Sequence, residues 1–401
     1  MKQFTWASYA LYLLAGLVIT TIGSVMPQLL EHYNRSYTDG GQLVFAGSVG
    51  FMAGVPISAY ILKKFGEKVT LSAACIVIAL SQFAMLALPP FGWVTAINLL
   101  NSIGASSLEV VVASLMMEMF IGRRAVVMSY LEVSFGLGAL LMPFVASFFI
   151  KQGSWQSSLW VTGILAAVLA VVWMRLQYRK EETDITEGTD AAEAAPPAEL
   201  SRRSKGWLLT LFLLMIFLYC GIEGSLNNFL SSIFVSYFHA APSSASISIG
   251  LFWVAMVIGR LATGWIIRRI NYSRFLMGSM LLTLVAVAAL LLLDVEAAGY
   301  IFVTMLGLTL SGVYSITMVY ANHSLPGMAR LVTVLITGCA GFGGALFPAL
   351  LGYVLDHAEP AASLWLIGSY AAGFIVLLLG VMAGYRHWSR QAGAGQASAG
   401  L

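Results

Sequence analysis

Long apolar stretches separated by short polar turns make up almost the whole chain. A helix of about 20 apolar residues crosses a bilayer core of about 30 Å. Backbone groups in hydrocarbon need partners within their own segment, so Gly- and Leu-rich stretches of this length favour helices over barrel strands. The predicted spans, good to a few residues at each end, are 6–30, 40–62, 69–88, 92–118, 126–149, 157–175, 207–236, 246–267, 274–293, 298–321, 331–355 and 362–385.

One long polar stretch, residues 176–206, interrupts this pattern after the sixth span. Its acidic middle, EETDITEGTDAAEAAPPAE, is rich in Ala, Pro and Thr and is followed by SRRSK. Such a composition cannot bury a core and predicts a flexible cytoplasmic linker. The chain therefore divides into an N-terminal six-helix bundle (1–175), the linker, a C-terminal six-helix bundle (207–390) and a low-complexity, disordered tail (391–401).

The two halves carry similar glycine-rich segments in corresponding spans. The fifth span contains FGLGALLMP, beginning at Phe135, and the fifth span of the second half contains FGGALFP, beginning at Phe342. Spans 2 and 8 also both end in basic turns, YILKKFGEK and GWIIRRINYSR. An internal repeat of six spans is typical of secondary transporters, which bind their substrate near the midplane between the halves.

Composition separates this chain from soluble proteins. It is 59% hydrophobic and only 10% charged, with a mean hydropathy of +0.86. Soluble domains carry about 25% charged residues, so a cytosolic enzyme, a disordered protein and a disulfide scaffold are all excluded. The cysteines, Cys75, Cys220 and Cys339, lie far apart in apolar stretches and form no metal-binding or disulfide pattern.

The distribution of basic residues predicts the orientation. Nearly all of the 21 lysines and arginines fall in alternate turns, and only Arg35 and Lys151 fall on the other side. The positive-inside rule then places both termini in the cytoplasm of a multi-pass protein of the plasma membrane. The first span has no cleavage pattern and is predicted to be retained.

With these features the sequence resembles the major facilitator superfamily over its whole length, and within it the fucose:proton symporter family. Four stretches carry the likeness: AGVPISAYILKKFGEK, GASSLEVVVASLMME with FGLGALLMP, FLYCGIEGSLNNFL and LFWVAMVIGRLATGWIIRRI. The resemblance implies an all-α fold of twelve transmembrane helices in two six-helix bundles. The sequence departs from the family pattern at Lys63, where the superfamily's loop motif has an acid, and at Ala113, where fucose symporters have Asn.

Three acids lie inside predicted spans. An ionised side chain at the bilayer centre costs about 2.5 to 3.5 kcal/mol on insertion scales, so it persists only where it faces protein or water. Glu109, Glu132 and Glu223 are therefore candidates for proton coupling. Glu109 matches the span 4 acid that the resemblance implies for coupling protons to substrate. Glu132 fits either a proton relay or a partner for Arg260.

Further candidates for binding and gating surround these acids. In CGIEGSLNN, glycines beside Glu223 permit close approach, and the following asparagines add hydrogen-bonding groups about one turn away. The residues predicted to bind substrate are Glu109, Glu223, Asn227, Asn228, Tyr219, Trp253 and Tyr314. The residues predicted to form a gate are Arg260, Lys63, Lys64, Arg268 and Arg269, although Arg260 also fits a purely structural role.

These features predict a secondary active transporter that moves a small, polar, sugar-like solute with protons by alternating access. A proton-coupled exporter of drugs or of a secreted metabolite such as a metallophore is the alternative, and a non-transporting receptor or scaffold is a second one. The chain has no GxxxxGK[ST] phosphate loop and no catalytic or metal-ligand spacing, which argues against an enzyme and against a cofactor. The expected partners are substrate, H⁺ and lipid, without nucleic acid, and the chain is expected to be a monomer.

Overall fold

The computed structural model describes residues 2–120, 124–176, 202–293, 295–325 and 328–398. These residues are almost entirely helical, with a short 3-10 turn at Trp155–Ser157. The α-helices are α1 (Lys2–His32), α2 (Tyr37–Leu86), α3 (Phe91–Met119), α4 (Arg124–Lys151), α5 (Ser158–Arg175), α6 (Arg202–Ser236), α7 (Pro242–Ile266), α8 (Tyr272–Leu292), α9 (Glu296–Leu310), α10 (Val313–Ser324), α11 (Ala329–His357) and α12 (Ala361–Ser398).

The described chain holds 11 helical segments that are long and apolar enough to cross a membrane, with α9 and α10 together forming one of them. The helix α2 has 50 residues, which would extend about 75 Å at 1.5 Å per residue. Gly66 breaks it with φ 77° and ψ 174°, between predicted spans 2 and 3. This single helix therefore supplies two crossings, and the predicted all-α fold with twelve transmembrane helices is confirmed.

The predicted linker and tail differ in part from the structure. The helix α6 begins at Arg202, a few residues before the predicted start of its span at 207. Most of the predicted linker, residues 177–201, lies outside the described residues. At the other end, α12 continues to Ser398 through most of the segment predicted as a disordered tail.

The helices pack in the same arrangement in each half of the chain. In the first half α1 packs on α4, and in the second half α6 packs on α11. Glycines allow both contacts. A Cβ on Gly138 would lie 2.0 Å from the Leu13 carbonyl oxygen, and one on Gly343 would lie 2.3 Å from that of Phe217. The repeated motifs FGLGALLMP and FGGALFP therefore mark positions where two helix backbones touch.

Contacts between the halves concentrate toward one end of the bundle. We call the end that carries Lys63 and Arg268 the basic end, and the other the opposite end. At the opposite end, the Asp356 carboxylate at the end of α11 accepts hydrogen bonds from the backbone N–H groups of Tyr37, at 2.9 Å, and of Thr38. The two halves are thus joined where α2 begins.

Toward the basic end α2 separates from α11, whereas the Arg260–Glu132 pair keeps α7 and α4 in contact. Near the opposite end, the Ser246 hydroxyl in the first turns of α7 donates to the Pro143 carbonyl oxygen at 3.0 Å. Nearer the basic end, the three consecutive residues 55–57 of α2 are all exposed. Successive residues of a helix point in directions about 100° apart, so this part of α2 is uncovered on more than one side. On the side of α2, the bundle is therefore closed at the opposite end and open at the basic end.

The backbone contact at Gly138 yields a stability prediction. We expect Gly138→Ala to lower the melting temperature of the purified protein by about 5 °C or more, since the added methyl group overlaps Leu13. Helix propensity alone would give the opposite sign, because Ala is the better helix former. The matched control is Gly278→Ala in α8, where a Cβ meets nothing within 4 Å. An equal response of the two variants in a thermal-unfolding assay would contradict the contact.

Candidate functional site

Glu109 lies in α3, in the interior of the first half. Its carboxyl oxygen Oε1 is buried and has no hydrogen-bond partner among the described residues. The Tyr12 hydroxyl of α1 donates to the backbone carbonyl oxygen of Glu109 at 3.0 Å. Glu132 on α4 is close enough for the two carboxylates to repel each other. Burying a carboxylate oxygen without a hydrogen-bond donor disfavours the charged form of the group.

A charged triad joins the two halves beside this acid. The Arg260 guanidinium on α7 donates to the Glu132 carboxylate at 3.1 Å and lies 3.6 Å from the Glu223 carboxylate on α6. The side chains of Arg260, Glu132 and Glu223 are 26%, 50% and 21% exposed. One cation is shared between two carboxylates, and the network is open enough for water to reach it.

The Trp253 ring contacts the Arg260 guanidinium of the triad. Its ring centroid lies 5.6 Å from the Arg260 guanidinium carbon, an arrangement suited to a cation–π contact. The indole N–H donates to the Asn227 side-chain oxygen at 2.9 Å. The Asn227 amide nitrogen in turn donates to the Ile19 carbonyl oxygen of α1 at 3.2 Å. Both the oxygen and the nitrogen of the Asn227 side-chain amide are therefore hydrogen-bonded to protein groups.

These polar groups form a stripe along α6. Tyr219, Glu223, Asn227 and Ser231 follow one another at intervals of four residues and so share one face of the helix. The Tyr219 hydroxyl donates to the Leu310 carbonyl oxygen at 3.1 Å, at the break between α9 and α10, and it also lies beside Glu223. The Ser231 hydroxyl donates to the Gly23 carbonyl oxygen at 2.6 Å. The stripe links the triad to the contact between the halves.

Asn228 and Tyr314 occupy different surroundings from Asn227. Asn228 is partly buried, and its amide nitrogen donates to the Gly224 carbonyl oxygen of its own helix at 2.8 Å. The Tyr314 ring lies 6.4 Å from the Tyr219 ring, near the start of α10. The role of these two residues in substrate binding stays a prediction.

The structure does not bring the four basic residues of the predicted gate to Arg260. Lys63, Lys64, Arg268 and Arg269 are exposed on the two turns at the basic end. The Lys64 ammonium lies 5.1 Å from the Phe65 ring centroid. Arg260 alone lies in the interior, where it contacts carboxylates of both halves. The role of these residues in gating stays a prediction.

The contacts of Ser231 and Asp356 are among those between the halves that the sequence did not predict. Ser231 continues the four-residue interval of the α6 stripe, and this periodicity was the available signal. Asp356 is an acid at the end of a span, where acids commonly contact water, so its backbone partners on α2 had no signal in the sequence. In the part of the chain that the structure describes, no group of three or more His, Cys, Asp or Glu side chains lies together to hold a metal ion.

A bundle of twelve membrane-crossing helices in two similarly packed halves, with charged groups between them, has the architecture of a secondary transporter. The family model of the Major Facilitator Superfamily matches residues 9–348 and 212–400 of this chain. The chain belongs to the major facilitator superfamily, and it is a multi-pass membrane transporter. The family resemblance seen in the sequence is thereby confirmed.

Known proteins of similar sequence and structure agree. The chain is 30% identical over 356 residues to the glucose/mannose transporter GlcP of Bacillus subtilis (strain 168), covering 87% of each protein. It is 21% identical over 403 residues to protein TsgA of Shigella flexneri, covering 96% of each. A crystal structure of the nucleoside transporter NupG superposes with a TM-score of 0.73 at 14% identity, covering 96% of this chain and 98% of that one.

A further structural match is a bacterial homologue of the human lysosomal transporter Spinster, in an inward-facing and occupied conformation. It superposes with a TM-score of 0.73 at 13% identity, covering 96% of each chain. At such low identities, the two structural matches establish the shared fold.

The triad yields a prediction on charge balance. We expect Arg260→Gln to lower the melting temperature, because two carboxylates lose their shared counter-ion within the membrane. Adding Glu132→Gln removes one of these charges and is expected to restore at least about half of the loss.

The matched control combines Arg260→Gln with Glu31→Gln, an exposed acid at the opposite end. Thermal unfolding of the detergent-solubilised variants measures all four chains. Equal recovery by Glu31→Gln and Glu132→Gln would show that the ion pair is not the cause.

Proposed function

We propose that this transporter couples H⁺ to the movement of a small, neutral, sugar-like solute by alternating access. The observation that carries the proposal is the buried, unpartnered carboxyl oxygen of Glu109. An acid at such a position takes up a proton readily and releases it only when water or another group reaches it. Binding and release of a proton there can follow the opening of the bundle.

Charge balance supports a coupled proton. Among the described residues, three acids within the spans, Glu109, Glu132 and Glu223, accompany Arg260, which pairs with the last two. If all four were ionised, two negative charges would remain uncompensated within the membrane, each at a cost of about 2.5 to 3.5 kcal/mol. Protonation of Glu109 removes one of them. A neutral solute then adds no further charge to the site.

The solute class rests on a relative and on the side chains present. The similar glucose/mannose transporter carries hexoses, as its name states. Sugars are bound by hydrogen bonds combined with contacts to aromatic rings. Asn228 and the Glu223 carboxylate offer hydrogen bonds, and Tyr314 offers an aromatic ring. Asn227, which was also expected to bind substrate, already uses its amide within the protein.

Orientation follows from the positive-inside rule. It assigns the basic end, with Lys63, Lys64, Arg268 and Arg269, to the cytoplasm, together with both termini of a monomer in the cytoplasmic membrane. The open end of the bundle then faces the cytoplasm. In the alternate state the two halves rock about the triad, so that the opposite end opens and the basic end closes.

Removing the Glu109 charge is expected to separate transport from the proton gradient. In proteoliposomes, Glu109→Gln should lower D-glucose accumulation driven by a pH gradient by about tenfold or more, because the residue can no longer exchange a proton. Exchange of D-glucose at equal pH on both sides should continue.

The control is Glu31→Gln, which should leave both activities unchanged. Uptake by Glu109→Gln that keeps the full pH dependence would remove Glu109 from the coupling mechanism. Uptake that no pH gradient drives even in the unaltered chain would refute proton coupling altogether.

The role of Asn228 in binding can be measured separately. We expect Asn228→Ala to raise the half-saturating concentration of D-glucose by about tenfold, the loss of one hydrogen bond of about 1.4 kcal/mol. The maximal rate should change little, and D-mannose should compete in both chains. Asn271→Ala, on the turn before α8, is the matched control. An unchanged half-saturating concentration in the Asn228 variant would exclude this contact.

A further inference from the structure

The contact between α1 and α6 is a tight junction of the two halves. A Cβ on Gly23 would lie 2.2 Å from the Asn227 carbonyl oxygen, so no larger residue fits there without movement. Two side-chain bonds one turn apart complete the junction, from Asn227 to the Ile19 carbonyl oxygen and from Ser231 to the Gly23 carbonyl oxygen. Both bonds cross from one half of the transporter to the other.

Only one of these two bonds continues toward the triad. The Ser231 hydroxyl bonds the Gly23 carbonyl oxygen and lies farther from the basic end. The Asn227 side-chain oxygen instead accepts from the Trp253 indole, whose ring faces the Arg260 guanidinium. The Trp253 ring also lies 5.8 Å from the Phe135 ring of α4. A continuous set of contacts thus runs from α1 through Asn227 and Trp253 to Arg260 and Glu132.

The surroundings of Asn227 separate it from a substrate ligand. It is only 6% exposed, and both of its amide atoms have protein partners. A ligand would have to displace one of these partners and leave a buried polar group unsatisfied, at a cost of about 1 to 3 kcal/mol. The amide nitrogen of the neighbouring Asn228 instead donates to the Gly224 carbonyl oxygen of its own helix.

We propose that Asn227 is a positioning residue that couples the α1–α6 junction to the Arg260–Glu132 ion pair through Trp253. When the opposite end opens, α1 moves away from α6 and the bond to Ile19 breaks. The freed amide then no longer fixes the Trp253 indole, and the ring beneath Arg260 changes position. This proposal rests on the alternating access of the proposed function. It does not depend on proton coupling or on a sugar-like substrate.

The test reports opening of the opposite end by thiol labelling, without solute or pH gradient. The reporter is Ser48→Cys, at the contact where the Ser48 hydroxyl reaches the Gly344 carbonyl oxygen of the other half. The background carries Cys75→Ser, Cys220→Ala and Cys339→Ser. Glu132→Gln removes an ion pair that is formed in this state, in which the opposite end is closed, and so it favours opening of that end. It is expected to speed labelling by a soluble maleimide by about threefold or more.

The same Glu132→Gln change is then made in three further chains. We expect the labelling rate to change by less than about 1.5-fold with Asn227→Ala or Trp253→Phe, because each breaks the link. Ser231→Ala is the matched control, since it removes the neighbouring bond without touching the link, and it should keep the full response. Trp253→Phe retains an aromatic ring and leaves the Asn227 bond to Ile19, which guards against a folding defect in the Asn227 variant.

Several results would overturn the proposal. One is a change in the labelling rate on Glu132→Gln that is equal in all chains. Another is loss of this change with Ser231→Ala as well. The third is no change in the chain that retains Asn227, Trp253 and Ser231. Because no substrate or proton gradient enters the measurement, its outcome is independent of the Glu109→Gln transport assay. A failure of either one is therefore distinguishable from a failure of the other.

Discussion

The energetic cost of charge in hydrocarbon organises the interior of this transporter. Arg260, Glu132 and Glu223 remain stable only because they contact one another between the halves. That requirement fixes which faces of α4, α6 and α7 turn inward, and it leaves the outer faces to apolar side chains. The same cost applies to Glu109, whose Oε1 has no hydrogen-bond partner among the described residues.

The helices that position these groups are held by close backbone contacts. Gly138 and Gly343 occupy equivalent places in the two halves, where each lets one helix rest directly on its neighbour. Dispersion contacts are effective here because lipid offers no hydrophobic driving force between helices. Close backbone contacts of this kind therefore hold the helices of each half together.

Much of this architecture could be predicted from the sequence, because membrane spans obey strong one-dimensional rules. The apolar runs gave most helix ends to within a few residues, apart from the end of α12, and the charge pattern singled out Glu109, Glu132, Glu223 and Arg260. The sequence could not distinguish Asn227 from Asn228, since the partner of Asn227 at Ile19 lies in the other half of the chain. The sequence grouped the basic residues of the two turns with Arg260 as a gate. Their separation from Arg260 depends on how the helices pack, which the sequence does not reveal.

Asp356 closes the opposite end by bonding the backbone of Tyr37 and Thr38 at the start of α2. A carboxylate at a helix N-terminus interacts with amide groups that every residue except proline possesses. The Thr38 hydroxyl also bonds the Asp356 carboxylate, so one side chain of this helix end takes part in the contact. Loss of the acid would therefore leave two amide groups and one hydroxyl of α2 without their partner on α11.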